Sequence, residues 1–160
     1  MDIKIRTANK NDYTQILELV KEVHDLHVKN RPDIYLQTDS PLLKDTFKDL
    51  LTKANMKTFV VEDTYNNRII AYSIVQITLQ KNISLLVKSK FAYIDHFESV
   101  KSTHQKLGIG KALFNHIVIF VKSQGVSSLQ LTVCEFNKNA INFYESLGMS
   151  TRNRKMELNL

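Results

Sequence analysis

Residues 105–111 read Gln105-Lys106-Leu107-Gly108-Ile109-Gly110-Lys111. The chain holds only four glycines, and two of them stand in this run. A helical pattern starts directly after it. Glycines at a helix start leave backbone N–H groups free and set them at the positive end of the helix dipole. Such a turn holds phosphate without help from side chains. Gly108 and Gly110 let the backbone approach an anion closely, and Lys106 and Lys111 add positive charge. The spaced Gly-Lys-Ser/Thr pattern of a P-loop is missing, and so is the three-glycine dinucleotide fingerprint. Taken alone, Gly-x-Gly is equally a tight turn entering a helix.

Other residue types capable of chemistry flank this turn. Asp95, His96 and Glu98 lie on the segment before it and could take up a proton. On an unbroken strand His96 and Glu98 would share a face, and a bulge would scramble that parity. Beyond the turn lie Cys134, Glu135, Asn137 and Tyr144. Cys134 reads as a small buried strand residue. Tyr144 also fits the buried face of its own helix beside Phe143, and Asn137 fits a plain helix cap.

Particular elements must position these groups. Ile3, Ile5 and Thr7 alternate with polar residues as in a short strand. Asn9 offers an N-cap with Asp12 three positions on, and the spacing predicts a helix from about Lys10 to His27, ended by Arg31-Pro32. A second helix is expected from near Ser40-Pro41, burying Leu42, Leu43, Phe47, Leu50 and Leu51. Thr58–Glu62 and Ile69–Leu79 read as a hairpin around Tyr65-Asn66-Asn67-Arg68. Phe91–Val100 is expected as another strand.

The period then changes. Ile109, Ala112, Leu113, Ile117, Phe120 and Val121 fall on one helix face, and Gly125 ends that helix. Ser128–Cys134 reads as a strand. A short helix follows, capped by Asn137 and closed by Gly148 at C′. Met156, Leu158 and Leu160 alternate, which predicts a final strand or hairpin over 149–160. The order β-α-α-β-β-β-α-β-α-β implies an α+β domain with a mixed sheet and helices on its faces.

Composition narrows the function classes. A chain of 160 residues fits one domain, 1–160, and its 43% hydrophobic content supports a core without metals or disulfides. The net charge of +6 is spread along the chain, so a charged interaction tail is not expected. A basic surface suits an anionic coenzyme and also nucleic acid. Zinc-ligand spacing and RNA-binding aromatic motifs are missing, so nucleic acid is not the expected partner. The single cysteine and the start Met1-Asp2-Ile3-Lys4, without a signal-length apolar run, point to the cytoplasm. Nothing approaches a membrane span.

Two motifs together carry a resemblance. Gln105-x-x-Gly108-x-Gly110, continuing through Lys111-Ala112-Leu113, resembles the Gln/Arg-x-x-Gly-x-Gly/Ala signature of the GNAT superfamily of N-acetyltransferases. Asn137-Lys138-Asn139-Ala140-Ile141-Asn142-Phe143-Tyr144-Glu145-Ser146-Leu147-Gly148 resembles the next motif of that family. Both stand in the right order at a fitting separation, and the element order agrees. The loop Lys101-Ser102-Thr103-His104 departs from the pattern by lacking the proline often seen there.

The resemblance implies the acyl-CoA N-acyltransferase fold: a mixed, mostly antiparallel three-layer sheet with a V-shaped splay between two parallel strands. It implies acetyl-CoA as co-substrate and no metal. The pantetheine arm would run along Glu98, Ser99 and Val100. The pyrophosphate would rest on amides of Gln105, Lys106, Leu107, Gly108, Ile109, Gly110 and Lys111, although Gln105 may serve only to order the loop. Asn137 would contact the coenzyme arm. Tyr144 would be the general acid toward the leaving thiolate and Glu98 the base, with Glu135 or a water relay as alternatives. The acceptor would be a primary amine of a small molecule or a protein, met on a side lined by His24, His27, Asp33 and Tyr35. The net positive charge argues against a strongly cationic acceptor. Homodimers are common in the family, and the C-terminal strand offers an edge for one. A coenzyme-binding sensor without turnover would keep the same turn without needing Tyr144.

Overall fold

The computed structural model describes residues 2–80, 87–97 and 102–159. Strand β1 is Ile3–Thr7, and a 3-10 turn at Lys10–Asp12 leads into helix α1, Tyr13–Asn30. Helix α2 is Lys44–Thr52, followed by β2 at Met56–Asp63, β3 at Arg68–Leu79 and β4 at Lys90–Phe97. After a 3-10 turn at Ser102–His104 come α3, Ile109–Ser123, β5, Ser128–Leu131, and α4, Lys138–Ser146.

The strands form one sheet in the order β1-β2-β3-β4-β5. The first three pairings are antiparallel, and β4 pairs with β5 in parallel. A parallel pair needs a crossover, which α3 supplies. Core residues divide by face. Ile16, Leu19 and Val20 of α1 and Phe47 and Leu50 of α2 pack with Val60, Tyr72 and Ile74. Ile109, Leu113, Ile117 and Val121 of α3 pack with Val61, Val75, Ala92 and Ile94. Helices therefore cover both faces, as the periodicity predicts. Among the described residues no helix is long and apolar enough to cross a membrane.

Three expectations need correction. The second helix starts at Lys44 rather than near Ser40. Strand β5 stops at Leu131, so Cys134 lies past its end, half-buried. The described tail, 149–159, forms no strand. Its alternating Met156 and Leu158 are exposed (85% and 83%), so neither apolar side chain is paired against a sheet. Alternation reports which residues would share a face, but a strand also needs a partner edge within reach.

The start of α1 rests on a buried charge cluster. The Asn9 side chain accepts from the Asn11 amide (2.9 Å), and the Asn9 amide donates to Asp12 (2.7 Å). Arg6 donates twice to Asp12, at 2.8 and 2.9 Å, and once to Glu62 at 2.7 Å. Burial pushes the Asp12 carboxyl up, but the bonds from Arg6 and the Asn9 amide, with the Arg6 charge, outweigh it and hold it below the usual range. A depressed folded pKa adds stability that is complete above the unfolded value, about 3.9, and is lost as pH falls below it. Asp12→Ala should cost about 1–3 kcal/mol in urea unfolding at pH 7. The difference from the wild type should shrink as the pH is lowered from 5 to about 3.

Candidate active site

The loop before α3 has an unusual backbone. Lys106 has φ of 63° and Gly108 has φ of 79°. Left-handed backbone costs a non-glycine residue about 1–2 kcal/mol, so Lys106 holds local strain of the sort found at ligand-binding turns. Alternating hands of this kind turn successive N–H groups toward one point, a concavity suited to anions. Gly108 is the N-cap of α3 and gives it no side-chain cap. The first helical bond runs from the Ala112 amide to the Gly108 carbonyl, 3.0 Å. Among the described residues, the amides of Ile109, Gly110 and Lys111 have no acceptor.

Anchoring and exposure coexist here. Ile109 is 1% exposed and fixes the helix start in the core, while Gln105, Lys106, Leu107, Gly108 and Lys111 are exposed. A Cβ placed on Gly108 would meet nothing within 4 Å, so the space over the turn is open. The glycine is needed for its φ, not for room. His104 is half-buried, 2.8 Å from the Thr103 hydroxyl, and lines a shallow cavity with Asp63, Asn66 and Arg68.

The strands on either side part close by. Register between β4 and β5 runs from Phe91↔Ser128 to Ile94↔Leu131 and ends there, while β4 continues along β3 to Ser73↔Phe97. At the fork Tyr93 donates to the Thr132 hydroxyl, 2.8 Å. On the other edge of β4, Ile74 pairs with His96 but Val75 with Ile94, leaving Asp95 as the bulged residue. The bulge shifts the alternation of faces by one. Glu98, Ser99 and Val100, expected along the coenzyme arm, lie outside the described residues.

The remaining candidates sit on the diverging arm. Asn137 caps α4, its side chain accepting from the Ala140 amide at 3.1 Å. Tyr144 is half-buried, 5.5 Å ring to ring from Phe143, and no residue of α4 is fully buried. Glu135 is exposed and pairs with Lys138 at 2.6 Å. The hydrogen bond and charge of Lys138 hold its carboxyl below the usual range, which weakens it as a base.

The expected acceptor side is partly assembled. The His27 ring lies 4.9 Å from Tyr35 and His24 lies 6.4 Å from it. Asp33 does not join them and instead binds Arg31 at 2.7 Å. Sequence reasoning missed Phe136, 5.4 Å from His27, and the approach of the Tyr35 hydroxyl to the Cys134 sulfur, 3.5 Å. That sulfur contact and partial burial raise the Tyr35 phenol pKa. No spacing rule joins residues so far apart in the chain.

A mixed sheet with helices on both faces, forked between its two parallel strands, is the fold that the resemblance implied. The family description "Acetyltransferase (GNAT) family" matches residues 20–149, and the chain belongs to that family. It is 30% identical over 87 residues to the ribosomal protein bS18-alanine N-acetyltransferase of Escherichia coli (strain K12). That match covers 54% of this chain and 51% of the relative, so the chain spans about half the length of that relative. It is 23% identical to tyramine N-feruloyltransferase 4/11 of Nicotiana tabacum, covering 92% of this chain and 82% of that one. A crystal structure of a mutant BH1408 protein from Bacillus halodurans superposes with a TM-score of 0.95 at 31% identity, covering 98% of this chain and 99% of the other.

Gly108→Val should destabilise the protein by about 1–2 kcal/mol, because a β-branched residue cannot adopt the left-handed turn without strain. Urea unfolding at neutral pH measures this.

Proposed function

We propose that this chain is an acetyl-CoA-dependent N-acetyltransferase, acting as one domain over 1–160, that acetylates a primary amine of a small molecule or a protein. The observation that carries the reading is the set of three amides, Ile109 to Lys111, without an acceptor among the described residues, at a helix start whose N-cap Gly108 has open space over its Cβ position. Free N–H groups at a helix start suit a diphosphate, and the exposed Lys106 and Lys111 suit its charge.

In this reading the amides from Gln105 to Lys111 hold the pyrophosphate, and Glu98, Ser99 and Val100 pair with the pantetheine arm. Asn137 contacts that arm while also capping α4. The coenzyme supplies an acetyl thioester, which the neutral amine attacks directly, with no acyl group passing through the enzyme. Tyr144 gives its phenolic proton to the departing sulfur. Glu98, directly or through water, removes the proton the amine must lose. The weak basicity of Glu135 favours Glu98 over it.

A sensor without turnover would share the coenzyme turn but would not need the Tyr144 hydroxyl. The experiment is thiol release from acetyl-CoA across a panel of amines, with calorimetry for coenzyme binding. Tyr144→Phe should lower kcat by about 10²-fold or more, the range of general acid catalysis, while coenzyme affinity stays within twofold. Coenzyme binding without thiol release for any amine would leave the sensor, and no binding at millimolar coenzyme would end both readings.

A further inference from the structure

We infer that His27, Tyr35 and Phe136 form a wall that selects a monoamine with an aromatic body over a polycationic amine. This inference rests on the transferase reading and names its acceptor class. The wall stands at the fork. Cys134 and Phe136 lie on the arm that leaves β4 after Leu131. Tyr35 reaches Cys134 from the segment between α1 and α2, and His27 packs edge-on against both Tyr35 and Phe136.

The wall is held in place before any ligand arrives. His27 Nδ1 lies 2.8 Å from the Val23 carbonyl, and His24 Nε2 lies 2.8 Å from the Leu36 carbonyl. A carbonyl only accepts, so each of these nitrogens carries the hydrogen. Both rings are therefore fixed, and the His24 bond ties the 33–36 segment to α1. None of the three wall residues belongs to either core cluster, and all are half-buried. Their rings pack on one another and remain partly accessible. Rings held at such angles receive a further aromatic ring edge-on or offset.

Charge points the same way. A polycationic acceptor needs several uncompensated carboxylates, and among the described residues those on the wall's own segments mostly have cationic partners: Arg31 binds both Asp33 and Glu157, and Lys138 binds Glu135. Asp25 meets only the neutral Gln37 amide, at 3.3 Å, and keeps its charge. A single ammonium on an apolar body fits this surface better than several.

The test compares kcat/KM for 2-phenylethylamine, butylamine and spermidine by thiol release from acetyl-CoA. The aromatic amine is expected to exceed spermidine at least tenfold. Phe136→Ala should raise KM for 2-phenylethylamine at least fivefold while changing that for butylamine less than twofold. Its coenzyme affinity and melting temperature should stay those of the wild type. Tyr35→Phe, which keeps the ring and removes only the hydroxyl, should shift the aromatic-to-aliphatic ratio less than twofold, whereas Tyr35→Leu should shift it at least fivefold. Turnover with spermidine preferred, or variants that slow all amines alike, would overturn the wall and leave the transferase reading standing. Calorimetry of 2-phenylethylamine into the CoA-saturated protein separates the reverse case. Binding that Phe136→Ala weakens, without turnover of any amine, would support the wall and sink the transferase reading. Neither binding nor turnover would overturn both.

Discussion

The parallel ladder between β4 and β5 ends at Ile94↔Leu131 while β4 still has a partner on its other edge. A backbone that leaves a ladder must find other partners for its N–H and C=O groups or expose them. On the β3 side β4 stays paired to Phe97 past a single bulged residue, Asp95. On the β5 side the chain turns away, and the Tyr93–Thr132 bond marks the point of separation. The α4 cap and Tyr144 lie on the arm that follows β5 beyond this point.

The start of α3 shows how the core and a binding surface can share a few residues. Ile109 is driven into the sheet by burial, and this sets the helix axis. Its neighbours are then left with unpaired amides and positive-φ backbone, costs that a purely structural turn would avoid with a Ser or Asp cap. The entry to α1 makes the contrast. There the Arg6, Asp12 and Glu62 cluster pairs its charges, and the Asn9 side chain accepts from the Asn11 amide.

Family membership fixes the acetyltransferase class, and the relatives act on dissimilar acceptors by their names, a ribosomal protein alanine and tyramine. In this protein α1, the segment after it and the arm after β5 are distant in the chain. They meet through ring contacts and one sulfur contact rather than through backbone pairing.

By itself the sequence determined the local elements and the left-handed turn that opens α3. Hydrophobic period gave β1 through β4 and the helices, because burial of one face imposes its repeat on neighbouring residues. Gly108, Gly125 and Gly148 marked left-handed positions, all three with positive φ in the structure. Asn9 and Asn137 marked caps that are present. The same local rules failed on the tail, where Met156 and Leu158 alternate but form no strand. They failed also on β5, whose apolar run continues past the last paired residue. Only the tertiary structure decided where the ladder stops, that Asp33 turns to Arg31, and that Tyr35 and Phe136 meet around His27. Those outcomes depend on contacts between segments distant in the chain, and local spacing carries no record of which distant surface a residue will meet.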